Sequence, residues 1–488
     1  MKKTISILGS GFSALAASCY LAQQGHAVTV YEKNDSIGGR ARQFKSNGFT
    51  FDMGPSWYWM PDVFERFFQD FDKKQSDYYE LVKLNPAYRV YFGMNDFINI
   101  HDNLEAIKST FENLEKGSGQ KLQSFINQAK SNYDIAIKDL VYRPGVSPLE
   151  LITPKTILKL NQFLSNVSSD IRKEFKNERL IQILEFPVLF LGAKPSKTPS
   201  FYNFMNYADF GLGTWHPKTG MFDVVLGIEK LALELGVTIK TNSPIEKIIV
   251  ENKTATGIII DGKIIQSDIV LSGADYQHTE TLLEKKHRAY SNKYWENRVF
   301  APSSLLFFIG FDKKIENITH HALFFDVDFD QHAKDIYDIP KWPEAPLFYA
   351  NFPSKTDKTA APEGMETGFF LIPLAPGIND SEALREEYFE KIITRFEQLT
   401  QQKIKNNIIF KRSFCKNDFV TDYNAYKGNA YGMANTLLQT AFLRPKLKSK
   451  KVRNLYFTGQ LTVPGPGVPP ALISGKLVAE LIQKSLRS

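Results

Sequence analysis

Two glycine-rich turns lie at opposite ends of the chain, and each could bring bare backbone against a ligand. Near the start, Gly9-Ser10-Gly11-Phe12-Ser13-Ala14 follows the apolar run Ile5–Leu8 and precedes a stretch of small and apolar residues reaching about Gln24. Near the end, Gly459-Gln460 and Pro464-Gly465-Pro466-Gly467-Val468-Pro469-Pro470 stand between the apolar Leu455–Phe457 and an amphipathic stretch. The first pattern suits a diphosphate. Gly9 permits the tight turn, Gly11 lets backbone approach a pyrophosphate, and Ala14 permits close helix–strand packing. The helix that follows would aim its unpaired N–H groups at the negative charge. Val28-Thr29-Val30-Tyr31 then ends at Glu32, where a carboxylate would accept hydrogen bonds from a ribose, with Lys33 beside it.

NAD and FAD share that fingerprint, so the residues just beyond it decide between them. Ile37-Gly38-Gly39-Arg40-Ala41 comes next, and Gly54-Pro55-Ser56 follows Phe51-Asp52-Met53. A nicotinamide site has no need of a second glycine pair past its acidic residue, although a plain turn would also use one. The longer FAD would lay its ribityl chain and ring along such a loop. The C-terminal glycines supply the facing wall, and Ile245 falls where an adenine would lie. FAD is therefore the expected cofactor. It is expected to be non-covalent, because no Cys or His stands in the glycine loops. The helix opening near Pro469-Pro470 would add its positive end beside the flavin ring.

These turns need elements to hold them. Ile5–Leu8 and Val28–Tyr31 predict parallel strands flanking a helix over about 12–24. From Gly220 the α/β pattern returns, with a helix holding Leu226, Ile228, Leu231 and Leu235 and strands near Val237–Lys240, Ile245–Val250, Gly257–Ile260 and Ile269–Ser272. Between them, roughly 103–190 has little turn punctuation and predicts helices. Leu149 to Phe186 mixes apolar residues with Lys155, Lys159, Arg172 and Lys173, which suits a helical region lying in a membrane interface and equally an ordinary packed insert. Residues 301–410 predict a strand-rich excursion that includes Ser304–Ile309. The expected fold is α/β: a Rossmann-like FAD-binding domain, an interleaved α+β substrate domain, and a helical, membrane-associating insert. Its segments are 1–85, 220–300 and 411–488 for the FAD lobe, 86–219 for the helical and membrane-associating substrate region, and 301–410 for the strand-rich part.

Composition narrows the class. The 488 residues are 43% hydrophobic and 13% aromatic, with 38 Phe, enough for a large core and a wide apolar cavity. No apolar run approaches the roughly 20 residues that span a bilayer. The formal charge of +7 is mild and its lysines are scattered, which argues against nucleic acid. Cys19 and Cys415 are the only cysteines, so no disulfide framework is present. The apolar N-terminus ending at Cys19 superficially resembles a secretory signal, but cleavage there would delete the phosphate loop. A reduced, cytoplasmic location at the inner face of the membrane is expected. His320-His321 gives no metal site, since neighbours on a strand point to opposite faces.

Further blocks complete a resemblance. They are Pro353–Asp357 with Ala361–Gly364, Tyr426–Gly432, Gln439–Pro445 and Gly459–Gly475. With Gly9–Ala14, Glu32, Gly38–Arg40 and Phe51–Ser56, the chain resembles the bacterial carotenoid desaturases of the phytoene desaturase type, inside the amine-oxidase-like flavoproteins. Ser13 and Ala14 stand where glycines are more usual, and Lys218-Thr219-Gly220 where a double glycine is common; neither change removes a charged group. The resemblance implies an FAD-dependent enzyme that oxidises CH–CH bonds of a linear polyene, phytoene towards lycopene, by hydride transfer. Quinone or oxygen would take the electrons, and the membrane surface would be a partner. Dehydrosqualene or a hydroxycarotenoid are alternative substrates. A lipid-escort protein of the same fold and a flavin amine oxidase are alternative functions, the second disfavoured by the Pro353–Gly364 block. For the proton that must also leave, Asp209 among its aromatic neighbours is the candidate base, though a cap or turn role would equally place it there.

Overall fold

In the computed structural model, which describes residues 2–487 apart from the side chains of Leu151, Phe190, Leu191 and Leu437, two sheets share the chain between them. The first has five strands in the order Leu455–Phe457, Ile269–Ser272, Thr4–Leu8, Ala27–Tyr31, Thr238–Lys240, all parallel. Its central strands are apolar on both faces because helices cover one and a small antiparallel sheet covers the other. The helix Phe12–Gln23 is buried from Phe12 to Leu21, packed between the helices Phe222–Glu234 and Val468–Arg487. It stops where Gly25 turns at φ +88°. A three-stranded antiparallel sheet, Lys247–Glu251, Thr254–Ile260 and Lys263–Gln266, sits beside it. Its two hairpins turn at Asn252-Lys253 and Asp261-Gly262, with both central residues of each turn at positive φ.

The second sheet has seven strands, in the order Ile408–Phe414, Ser303–Phe311, Glu366–Leu374, Phe348–Asn351, His321–Phe324, Tyr88–Gly93, Asp96–Ile100. It is antiparallel except where His321–Phe324 runs parallel to Tyr88–Gly93. Ser303–Phe311 is buried at every position, as its unbroken apolar run requires. Phe307 packs on the helix Glu382–Thr400, while Ser304 and Leu306 face a cavity on the other side. Residue 410 falls inside the strand Ile408–Phe414, so a division there cuts an element that pairs wholly with Ser303–Phe311.

The helical region holds the long Ser118–Lys138 and then short pieces: Pro154–Ile157, Leu160–Leu164, Val167–Glu174 and Glu178–Glu185. Side-chain oxygens of Thr153, Asn166 and Asn177 cap three of these, which explains why so broken a path stays helical. Its outer face leaves Leu149, Leu158 and Leu164 between 71% and 82% exposed. Among the described residues, no helix is long and apolar enough to cross a membrane.

Candidate active site

The phosphate turn is built from backbone. Gly9 sits at φ +82°, and its N–H donates to Tyr31 O at 2.8 Å. Ser10 donates to Glu32 Oε2 through its N–H at 3.0 Å and its hydroxyl at 2.7 Å. Gly38 N–H donates to Ser10 O at 3.0 Å, bringing the second glycine turn over the helix start. There a Cβ on Gly39 would lie 3.4 Å from Gly11 Cα, whereas a Cβ on Gly11 would meet nothing within 4 Å. No side chain caps the helix at Gly11. Uncapped N–H groups facing open space form a cradle that fits a pyrophosphate. Glu32 lines the same cavity, so it can serve a ribose while holding Ser10.

Ala14 does not line the cavity; its methyl packs where a Cβ on Gly273 would come within 2.7 Å. That is the helix–strand contact the fingerprint needs, and it involves no ligand. Ser243, Pro244, Ile245, Asp275 and His278 line the same cavity, where an adenine would fit.

Towards the flavin end, Arg40 lies over the Tyr423 ring at 5.4 Å and Arg42 over the same ring at 5.3 Å. Arg42 also pairs with Asp422. Enclosure lowers the pKa of Arg40, partly offset by Asp275. Asp275, Asp422 and Tyr423 escaped notice in the sequence, because only the fold carries them to Arg40. Gly54 could not bear a side chain, since its Cβ would run into the Arg40 carbonyl.

The C-terminal loop forms the opposite wall. Gly459, Gly465 and Gly467 lie at φ +104°, +135° and +114°. Gly459, Gln460, Gly467, Val468 and Pro469 line the cavity, whereas Gly465 turns towards Asn435 and Arg444 instead. The positive helix end expected here carries few donors. Pro469 and Pro470 have no N–H, and Ala471 N–H is taken by Gly467 O at 3.0 Å.

From this cradle one cavity of about 1020 Å³ continues between the two sheets. Trp57, Phe186, Met205, Phe325 and Phe369 line its middle, and Leu140, Phe163, Tyr202 and Leu443 its far end. Asp209 is not on this wall. It lies in the π-helical turn Tyr207–Gly211, where its carboxylate accepts from the Tyr88 hydroxyl at 2.7 Å, and burial raises its pKa to about 7. The candidate base is thus a buried packing residue one ring behind the cavity. Lys33, Ala41, Pro55 and Ser56 do line the site, as do Phe12 and Ser13.

A dinucleotide cradle opening into an apolar chamber defines an FAD-dependent oxidoreductase. The family model described as flavin containing amine oxidoreductase matches residues 12–483, and the chain belongs to that family. Its relatives include a carotenoid 3,4-desaturase from Haloarcula japonica, 38% identical over 98% of this chain and 97% of that protein. A 4,4'-diapophytoene desaturase (4,4'-diaponeurosporene-forming) from Staphylococcus haemolyticus is 32% identical over 99% of both chains. A zeta-carotene-forming phytoene desaturase from Myxococcus xanthus is 30% identical over 98% and 93%. Among solved structures, an oxidoreductase from Methanosarcina mazei superposes with a TM-score of 0.64 at 18% identity, covering 98% of this chain and all of that one. The protein is an enzyme of the carotenoid desaturase type, and it oxidises a CH–CH pair with FAD as cofactor.

Proposed function

We propose that this enzyme docks on a membrane surface, draws linear phytoene from it, and introduces C=C bonds on the way towards lycopene. The observation that carries the proposal is the apolar cavity that runs on from the cradle to lining residues such as Glu150 and Phe163, whose sequence neighbours Leu149 and Leu164 are exposed. A hydrocarbon offers no polar handle, so its affinity must come from buried apolar area, about 25 cal/mol per Å². Gly54, Gly467 and the arginine–tyrosine cluster would hold the ring system at the inner end of that chamber. FAD, when bound, supplies the hydride acceptor, and quinone or oxygen would then take the electrons. The rest falls to the chain: excluding water, and placing one CH–CH pair at a time.

A second substrate has its own support. The relative at 38% identity is named a carotenoid 3,4-desaturase, which favours a carotenoid other than phytoene. Expression in a bacterium that accumulates phytoene, with pigment analysis, separates the two. Coloured polyene from phytoene is the expected result. Conversion of only a supplied hydroxycarotenoid or dehydrosqualene would reassign the substrate, and no conversion by FAD-loaded protein would overturn the proposal.

A further inference from the structure

Tyr349 stands between the cavity and a buried group of imidazoles. It lines the cavity together with Ser56 and Trp57. Its hydroxyl donates to Ser56 Oγ at 2.9 Å and lies 2.7 Å from His321 Nδ1, so a turn about the C–O bond carries its one proton from the first to the second. Asn351 donates its amide N–H to the same histidine nitrogen at 3.2 Å. Nδ1 is therefore an acceptor and the ring proton sits on Nε2. Behind the phenol there is thus a neutral nitrogen able to take a proton.

The surroundings extend this line inward. His321 lies flat on Trp57, ring centres 4.1 Å apart and planes within 10°. His320 follows at 4.5 Å and His216 at 4.4 Å from His320. Nε2 of His320 and His321 and both ring nitrogens of His216 have no protein partner. His216 also borders a small cavity of about 20 Å³, shared with Asp52, Ser56, Asn351 and Thr367. One water fits such a space. Ser56 is two residues from Gly54, so the serine of this hydroxyl pair sits on the loop that borders the cofactor cradle, and Tyr349 reaches it from the strand Phe348–Asn351.

We propose that Tyr349 is the proton acceptor of the desaturation, with His321 as the positioning residue that holds the phenol and takes its proton in turn. This rests on the desaturase reading above. One C–H bond breaks with its electron pair leaving as hydride for the flavin. The adjacent C–H bond breaks with its electrons forming the new C=C bond. Its proton passes to Tyr349 Oη while the phenol's own proton moves to His321 Nδ1, leaving an imidazolium. The substrate loses two electrons and the flavin gains two.

The energetics fit the partner. A C–H bond beside a developing carbocation is strongly acidic, so a weak base suffices. Burial holds His321 well below the usual histidine range, which keeps it neutral and ready at rest. Once charged, it faces the Trp57 ring, whose π-cloud favours a cation.

The test uses full-length, FAD-loaded protein and the polyene in liposomes, comparing wild type with Tyr349→Phe and His321→Asn. Tyr349→Phe is expected to lower kcat at least about 100-fold with KM within about threefold. Its flavin content and polyene affinity should match wild type. Deuterium at the proton-losing carbon should slow Tyr349→Phe more than wild type, because that step now limits turnover. His321→Asn should lower kcat in the same direction. In the unloaded protein, imidazole ¹⁵N NMR should show an unprotonated Nδ1 at His321. Tyr349→Phe within twofold of wild-type kcat, or a protonated Nδ1, would overturn the assignment while leaving the desaturase reading intact. Wild type inactive on every polyene would remove both.

Discussion

Glu32 does more than the fingerprint suggests. Besides lining the cavity, its carboxylate accepts from Ser10 twice and from Asn34 N–H at 2.9 Å, so it ties the phosphate turn to the second strand. Glu32→Ala should lose FAD and also melt lower, since buried donors left unpaired cost about 1–3 kcal/mol; flavin absorbance and a thermal melt read both. Normal flavin content would remove the ribose assignment. Gly467 likewise carries two burdens, because at φ +114° any side chain strains the backbone before it meets a ligand. A valine there would therefore cost stability as well as activity, contrary to what the loop's small share of the core suggests. Asp209 supplies a pH signature. Its folded pKa, raised to about 7 from the usual 3.8, means the native state keeps a proton that the unfolded chain releases. Stability from this group is complete below about pH 4 and falls as pH rises to about 7. Asp209→Asn keeps an oxygen for Tyr88 and has no proton to lose. It should melt above wild type at pH 8, by a shift on the order of a few kcal/mol that vanishes near pH 4. Equal melting at both pH values would show a solvated carboxylate.

At the scale of elements, what was legible depended on whether the partner lay nearby in sequence. The strand, turn and helix over residues 4–31 follow from glycine chemistry and apolar runs, and they form as expected. The pairing of His321–Phe324 with Tyr88–Gly93 joins segments more than two hundred residues apart, and no local pattern announces it. For the same reason Tyr349 and His321 carried no signal of their nearness to Ser56. The expected alternation of His320-His321 across a strand does not hold: the strand begins at His321, and the two rings lie 4.5 Å apart in one buried cluster with His216. The crossing of the helices Phe12–Gln23 and Val468–Arg487 offers a sharp test. A Cβ at Gly475 would come within 2.7 Å of Ser13 O and 2.8 Å of Ala17 N, backbone that cannot yield without moving the phosphate turn. Gly475→Val should lower stability by about 1–3 kcal/mol and release FAD. A variant that keeps both its melting temperature and its flavin would show that the two helices can part without cost.

For the whole molecule, the exposed leucines stand close in sequence to residues that line the cavity: Leu149 beside Glu150, and Leu164 beside Phe163. Leu438 is 78% exposed and lies two residues before the lining residue Thr440. Of the four cations expected to meet headgroups, Arg172 is held by Glu178 and Lys173 by Asp170, whereas Lys155 stays exposed. Docking should thus depend more on the leucines than on charge. Replacing Leu149, Leu158 and Leu164 together with Gln should lower flotation with liposomes, with little sensitivity to salt and unchanged flavin content. Full retention on vesicles would place the docking face elsewhere.

The interleaving also sets a timetable for biosynthesis. The strand Leu455–Phe457 and the helix Val468–Arg487 complete a cradle whose other half was made roughly 440 residues earlier. At about 5–20 residues per second, the ribosome takes from some twenty seconds to over a minute to deliver the second half. Throughout that interval the apolar first helix lacks its cover and the phosphate turn lacks its facing wall. FAD capture is therefore expected to follow synthesis, once the last helix has emerged to close over the first.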